Sequence, residues 1–195
     1  MPSPKGYVRE ELLDRAIELF RRQGYSATST AELVDELGVN RESMYSEFGS
    51  KQELFEAALE RYSEIHLSRV LAPIEDPAAN AESIRAAFRT YASAIDTPFN
   101  GLGCLMANTA VERAALDPGS ARFVDTYLGR LEAGFRRALK NAQSDGDVSG
   151  DADLDDLAAF FAMSVVGVSA LIRAKAPGEQ VHAACRAVTG MLEAA

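Results

Sequence analysis

Apolar residues recur at spacings of three and four along nearly the whole chain, the period of a helix that buries one face, and no window alternates apolar and polar residues as a half-buried strand does. The fold class read from this pattern is all-α. Leu13, Ala16, Ile17 and Phe20 share one face of a first helix, which Gln23-Gly24 should end. A second helix starts after Thr28-Ser29-Thr30, turns Leu33, Val34 and Leu37 inward and stops at Gly38. A third, short one follows the N-cap Asn40 and carries Met44, Tyr45 and Phe48 up to Gly49-Ser50. The fourth begins at Lys51, buries Leu54, Phe55, Ala58, Leu59 and Tyr62, and is expected to run to about Leu71, with Pro73 and Pro77 interrupting. Five further helices are expected over 81–95, 104–116, 121–142, 154–175 and 179–195, nine in all.

The second and third helices are joined by Gly38-Val39-Asn40, a tight turn in which the glycine accepts a positive φ and the valine plugs the angle between the helices. Such a pair places a helix in the DNA major groove. Burying Met44 and Phe48 leaves Arg41, Glu42, Ser43, Ser46 and Glu47 facing outward, and the Arg41 fork matches the O6/N7 edge of guanine. Residues 1–52 are therefore read as a helix-turn-helix DNA-binding domain, and residues 53–195 as a helical domain for ligand sensing and dimerisation.

Charge complicates this picture, because the formal net charge of −9 is unfavourable for nonspecific nucleic-acid binding. Residues 1–52 carry seven Lys/Arg against nine Asp/Glu, so most of the acid lies further along the chain. Distant acidic surface is screened beyond roughly 8 Å at physiological salt, which leaves site-specific reading possible.

At this point a family resemblance emerges: Thr28-Ser29-Thr30, Leu33-Val34, Gly38-Val39, Tyr45, Phe48, Lys51 and Leu54 match the spacing of the TetR repressor signature over residues 9 to about 60. The resemblance implies that Thr28, Tyr45 and Lys51 hold DNA phosphates, while Arg41 and Ser43 meet base edges. Ser29 and Asn40, at the starts of the second and third helices, join this DNA-facing set. It implies a homodimer, formed through the last two helices, on palindromic operator DNA. The helix over 154–175 suits that role, since Leu157, Phe160, Phe161, Ser164, Val165, Val168, Leu171 and Ile172 form a broad apolar face and Gly167 allows close approach.

The segment from Gly103 to Glu112 is the second informative stretch. Cys104, Asn108 and Glu112 fall at i, i+4 and i+8, one stripe of an otherwise apolar helix. It resembles a segment of the TetR subgroup that includes the electrophile-responsive N-ethylmaleimide reductase repressor. Cys104 follows Gly101-Leu102-Gly103 near a helix N-terminus, where the dipole favours thiolate, and by resemblance Lys175 is a candidate cation beside it. The alternative is that Cys104 is a small buried hydrophobe, as Cys185 is expected to be. Two effector readings follow: a small apolar or amphipathic molecule within the C-terminal bundle, or an electrophile or oxidant acting directly on Cys104.

A third reading, an enzyme or carrier in which the C-terminal bundle does the work and the head only packs, is disfavoured by the intact DNA-facing residues. The chain has no serine/histidine/acid arrangement and no glycine-rich phosphate loop beside a strand, so no catalytic residue, cofactor or metal site is assigned. His66 and His182 read as surface or packing histidines, and the acidic, glycine-containing stretch 144–151 lacks the register of a calcium loop and reads as a solvated connection. With no secretory leader at the N-terminus and no apolar run taken to span a bilayer, the expected location is the cytoplasm and no membrane partner is expected.

Overall fold

The computed structural model describes residues 8–194, and the N-terminal residues read above for a leader lie outside them. Ten α-helices follow one another: α1 (Arg9–Gln23), α2 (Thr30–Leu37), α3 (Arg41–Phe48), α4 (Lys51–Tyr62), α5 (Ser68–Glu75), α6 (Ala81–Ser93), α7 (Leu105–Glu112), α8 (Pro118–Asp145), α9 (Leu154–Arg173) and α10 (Gly178–Ala194). A π-helical turn, Ser63–Leu67, joins α4 to α5 without a break, so the expected fourth helix continues to Glu75. Pro73 does not interrupt it. The proline lies in the last turn, where the helix gives up one hydrogen bond and ends two residues later. The side chain of His66, within the π turn, lies outside the described residues.

Local chemistry fixes the short helices. Ser29 and Glu32 form a reciprocal capping box at α2, Asn40 Oδ1 accepts from Ser43 N at 2.7 Å at α3, and Ser50 accepts from Glu53 N at α4. Gly38 has φ 67°, the left-handed value that the sharp α2–α3 turn demands. The long α8 begins at Asp117-Pro118, an N-cap followed by a proline at the first position, three residues before the expected start. Correspondingly α7 stops at Glu112 rather than near Leu116. The acidic stretch 144–151 is the end of α8 and the turn into α9, with Gly146 left-handed at φ 84°.

The apolar faces meet in one continuous core. Phe20 packs edge-on against Phe55 at 4.8 Å in the N-terminal part, and Phe88, Phe135 and Phe161 cluster at 5.5–6.1 Å in the bundle. The core crosses the 52/53 boundary through α4, whose inner face packs on α1. α9 is 20 residues long with mean hydropathy 1.7, apolar enough to cross a membrane by length and composition, contrary to the expectation of no such run. Here it is packed against α8, α6, α7 and α10. Its apolar residues divide between two faces: Phe161, Ser164, Val165, Val168 and Ile172 are core, whereas Met163, Gly167 and Ala170 are exposed and Phe160 and Leu171 half-buried. The broad face expected to meet a partner is thus mostly intramolecular.

Candidate DNA-reading face and sensing cavity

α3 lies on the outside of the three-helix head with Met44 and Phe48 inward. Arg41, Glu42 and Ser46 are exposed, and Ser43 and Tyr45 half-exposed. The Arg41 guanidinium stacks 5.5 Å from the centroid of the Tyr45 ring. Hydrogen bonding to Thr30, and then to Arg41, holds the Tyr45 phenol below its usual pKa. Glu47 departs from the expected outward orientation: its side chain is tucked in, 3.4 Å from Arg9 Nε. Thr28 is a second correction. It is 1% exposed and its hydroxyl donates to Gly24 O at 2.6 Å, so it closes the α1–α2 turn and has no free face for a phosphate. Ser29 and Asn40 cap their helices from exposed positions.

Lys51, in the first turn of α4, lies with Nζ 4.1 Å from the Tyr25 ring centroid, and the Arg113 guanidinium sits 3.7 Å from the same ring. Burial first, then Arg113, lowers the Lys51 pKa, while Glu112 and Glu32 act in the opposite direction. Glu112 does more than neutralise. Its carboxylate accepts from Tyr25 N at 3.1 Å and Ser26 N at 2.7 Å, clamping the turn between α1 and α2. Arg113 donates to Gln52 of α4, and Gln52 donates in turn to Asp117 at 2.7 Å. The C-terminal end of α7 is therefore fastened to the head.

The other end of α7 opens on a cavity of about 460 Å³ between α1, α4, α5, α6 and α9. Cys104, the N-cap of α7, is 9% exposed and lines it together with Tyr62, Tyr91, Phe99, Ser169 and Ile172. Cys104 Sγ lies 3.9 Å from Tyr127 Oη, and burial holds the phenols of Tyr62, Tyr91 and Tyr127 far above their usual pKa, so all three stay neutral. α6, α9 and the start of α7 frame this space together with α1, α4 and α5, and no α8 residue lines it, so it lies against the head as well as within the C-terminal bundle where an effector was expected. Arg21 of α1 reaches in, donating through Nε (3.1 Å) and Nη2 (2.6 Å) to Gly103 O. Gly103 has φ 64°, and a Cβ there would meet Asn108 Oδ1 at 2.9 Å and Ser169 O at 3.1 Å.

The stripe of α7 is therefore divided among three tasks. Cys104 faces the cavity, Asn108 donates to Leu102 O at 2.9 Å to hold the loop before α7, and Glu112 holds the head. Lys175 is not brought to Cys104. It sits exposed on a left-handed turn after α9 with its side chain laid across Gly101, and the buried cation in the cavity wall is Arg21. Sequence patterning does not single out Arg21, Tyr25 or Arg113, whose partners are far away in the chain. Cys185, in α10, is buried and its thiol is pushed up by that burial. Among the described residues no cluster of three or more His, Cys, Asp or Glu is placed to hold a metal.

A helix-turn-helix head locked to a cavity-bearing helical bundle defines a DNA-binding regulator of transcription. The model of bacterial regulatory proteins of the tetR family matches residues 12–58, and that of the tetracyclin repressor-like C-terminal domain matches residues 81–188. The chain belongs to the TetR family, among DNA-binding regulators and not enzymes. It is 32% identical to the uncharacterized HTH-type transcriptional regulator YezE of Bacillus subtilis (88% of this chain, 89% of that one). It is 31% identical to the HTH-type transcriptional repressor ComR of Escherichia coli (91% and 85%). Among solved structures it is similar to the TetR-family regulator CifR, a cysteine mutant complexed with 26 bp double-strand operator DNA (TM-score 0.83, 25% identity, 96% and 98% covered). Reduced NemR of E. coli shares the fold at TM-score 0.76 and 20% identity (93% and 96% covered).

Proposed function

We propose that this chain is a homodimeric repressor that binds a near-palindromic operator through α3 of each protomer and is released by a small molecule in the cavity beside Cys104. The observation that carries the reading is α7, which has one end in the cavity wall at Gly103-Cys104 and the other on the α1–α2 turn through Glu112. A ligand weakens DNA binding only to the extent that it prefers a conformation in which the two heads misfit the operator; a hundredfold release needs about 2.7 kcal/mol of such preference. The division at 52/53 falls in the first turn of α4, which makes α4 the joint between head and bundle.

On DNA, Arg41 and Ser43 read base edges, while Ser29, Asn40, Tyr45 and Lys51 position the phosphates; Thr28 supports them from inside the turn. Dimerisation through α9 and α10 is supported by an exposed stripe of small and apolar residues: Ala159, Met163, Gly167 and Ala170 on one helix, Ala183, Ala187, Gly190 and Met191 on the other. A Cβ added at Gly167 or Gly190 meets open space within the protomer. The test begins by selecting the operator from random duplexes, with half-sites expected about one helical turn of 10–10.5 bp apart, or a multiple. Arg41→Ala then costs roughly 1–3 kcal/mol and relaxes one base step, whereas Lys51→Ala weakens all sequences and flattens the salt dependence. Equal losses on operator and random DNA for Arg41→Ala refute its role.

A second reading, in keeping with the likeness to the electrophile-responsive subgroup, is that Cys104 itself is the sensor. It is favoured by the position of its sulfur on the cavity wall, where a reagent small enough to enter meets it before Cys185. Alkylation mapped by mass spectrometry, with operator affinity measured for wild type, Cys104→Ser and Cys185→Ser, separates the two. A Cys104→Ser protein that still responds to the reagent removes the thiol switch and leaves the reversible ligand.

A further inference from the structure

Resting on the cavity as the effector site, we infer that its ligand is an organic carboxylate, an aromatic or amphipathic acid whose anionic group pairs with Arg21. Arg21 is 8% exposed, and no described carboxylate pairs with it. Two of its N–H groups converge on the single carbonyl of Gly103, and its guanidinium packs 5.7 Å from the Tyr62 ring centroid and 5.4 Å from that of Phe99. A buried guanidinium held only by one carbonyl and two ring faces retains an uncompensated charge. Several other arginines in this acidic chain are paired with carboxylates, Arg61 with Asp14, Arg130 with Glu75, Arg122 with Glu56 and Arg136 with Asp155, and those that bond to backbone carbonyls instead, Arg15, Arg137 and Arg173, are less buried than Arg21.

The rest of the cavity agrees in its chemistry. Among its described lining residues there is no Asp or Glu, and the exposed Arg69 adds a second positive charge at the rim. Leu67, Phe99 and Ile172 supply an apolar wall, and the phenols of Tyr62 and Tyr91, held neutral by burial, present no negative charge to a carboxylate. The planar fork of arginine donates two parallel hydrogen bonds to a carboxylate. The volume of about 460 Å³ is within the range of sites for small organic ligands.

The position of Arg21 gives the charge a consequence. Its bond to Gly103 O joins α1 of the head to the loop that leads into α7. A carboxylate that engages the fork competes with that carbonyl, so the group that confers affinity also loosens the tie between head and cavity. Binding and head release are then linked reciprocally.

The experiment uses the full-length dimer and a panel of aromatic and medium-chain carboxylic acids, each beside its primary carboxamide, with biphenyl-4-carboxylate and biphenyl-4-carboxamide as the first pair. Binding is read by calorimetry and thermal shift, on wild type, Arg21→Gln, Arg21→Lys and the cavity-blocking Thr90→Trp. Acids are expected to bind wild type on the order of ten- to a hundredfold more tightly than their amides, to lose that margin in Arg21→Gln and to regain part of it in Arg21→Lys. Because acid against amide is compared on wild type, the result does not depend on how well a variant folds. Amides that bind as tightly as acids and are lost in Thr90→Trp overturn the anion while keeping the cavity. Ligands that bind Thr90→Trp unchanged, or a panel of which no member binds wild type, overturn both.

Discussion

Removing the Glu112 carboxylate tests whether α7 holds the head. In Glu112→Ala the amides of Tyr25 and Ser26 lose acceptors at 3.1 and 2.7 Å, and Lys51 and Arg113 keep their places on the Tyr25 ring without the neighbouring anion. Hydrogen bonds to a charged group are worth about 1.5–3 kcal/mol each when desolvated, but Glu112 is half-buried and water can replace it at the exposed Ser26, so the expected loss is about 1–2 kcal/mol in total. For a chain of this length that corresponds to a fall in Tm of roughly 2–8 °C. Gly24→Ala attacks the same clamp from the opposite side, because a Cβ at Gly24 would meet Glu112 Oε2 at 2.6 Å and the residue has φ 87°. The two substitutions should therefore be non-additive, the double variant losing less than the sum. The assay is thermal unfolding of the four proteins, with hydrogen exchange followed on the peptide that contains Tyr25 and Ser26. Strict additivity, or unchanged protection of those amides in Glu112→Ala, refutes the clamp.

Three further outcomes are expected. Hydrogen bonds from the Ser120 side chain and backbone, and then from Gln52, hold Asp117 below its usual pKa, so the folded state binds its proton less readily than the unfolded one. Its contribution is full above the ordinary aspartate range and is lost as pH falls through the depressed value: Asp117→Ala should cost about 1 kcal/mol near neutrality, with the gap to wild type closing in acid, and urea titrations at both pH values check this. Gly167→Glu places a charge on the exposed stripe of α9 where nothing in the protomer crowds it, so analytical ultracentrifugation should find monomers with unchanged helix content. Phe135→Ala empties the centre of the Phe88/Phe135/Phe161 cluster and should cost about 3–5 kcal/mol by chemical denaturation.

The helices, and the ends of the short ones in the head, were legible in the sequence because the forces that set them are local. Ser29 with Glu32, Asn40 with Ser43 and the left-handed Gly38 act within four residues, and the three- and four-residue apolar spacing marks a buried face wherever it lies. The Asp117-Pro118 start of α8 was equally local, and cap chemistry locates it where apolar spacing alone begins the helix late. Periodicity reports that a face is covered and does not say by what. It cannot tell that the face carrying Phe161, Val165 and Val168 meets the protomer's own core and not a partner, nor foresee that Thr28 turns inward onto Gly24. The cavity and its coupling to the head belong wholly to the tertiary structure. Arg21 meets Gly103 across 82 positions and Glu112 meets Tyr25 across 87, pairings that exist only once α7 is wedged between α1, α4 and α9. The side chain of Lys175 is drawn by the same packing onto Gly101, and the cation buried in the wall of the cavity beside Cys104 is a guanidinium from the head, Arg21.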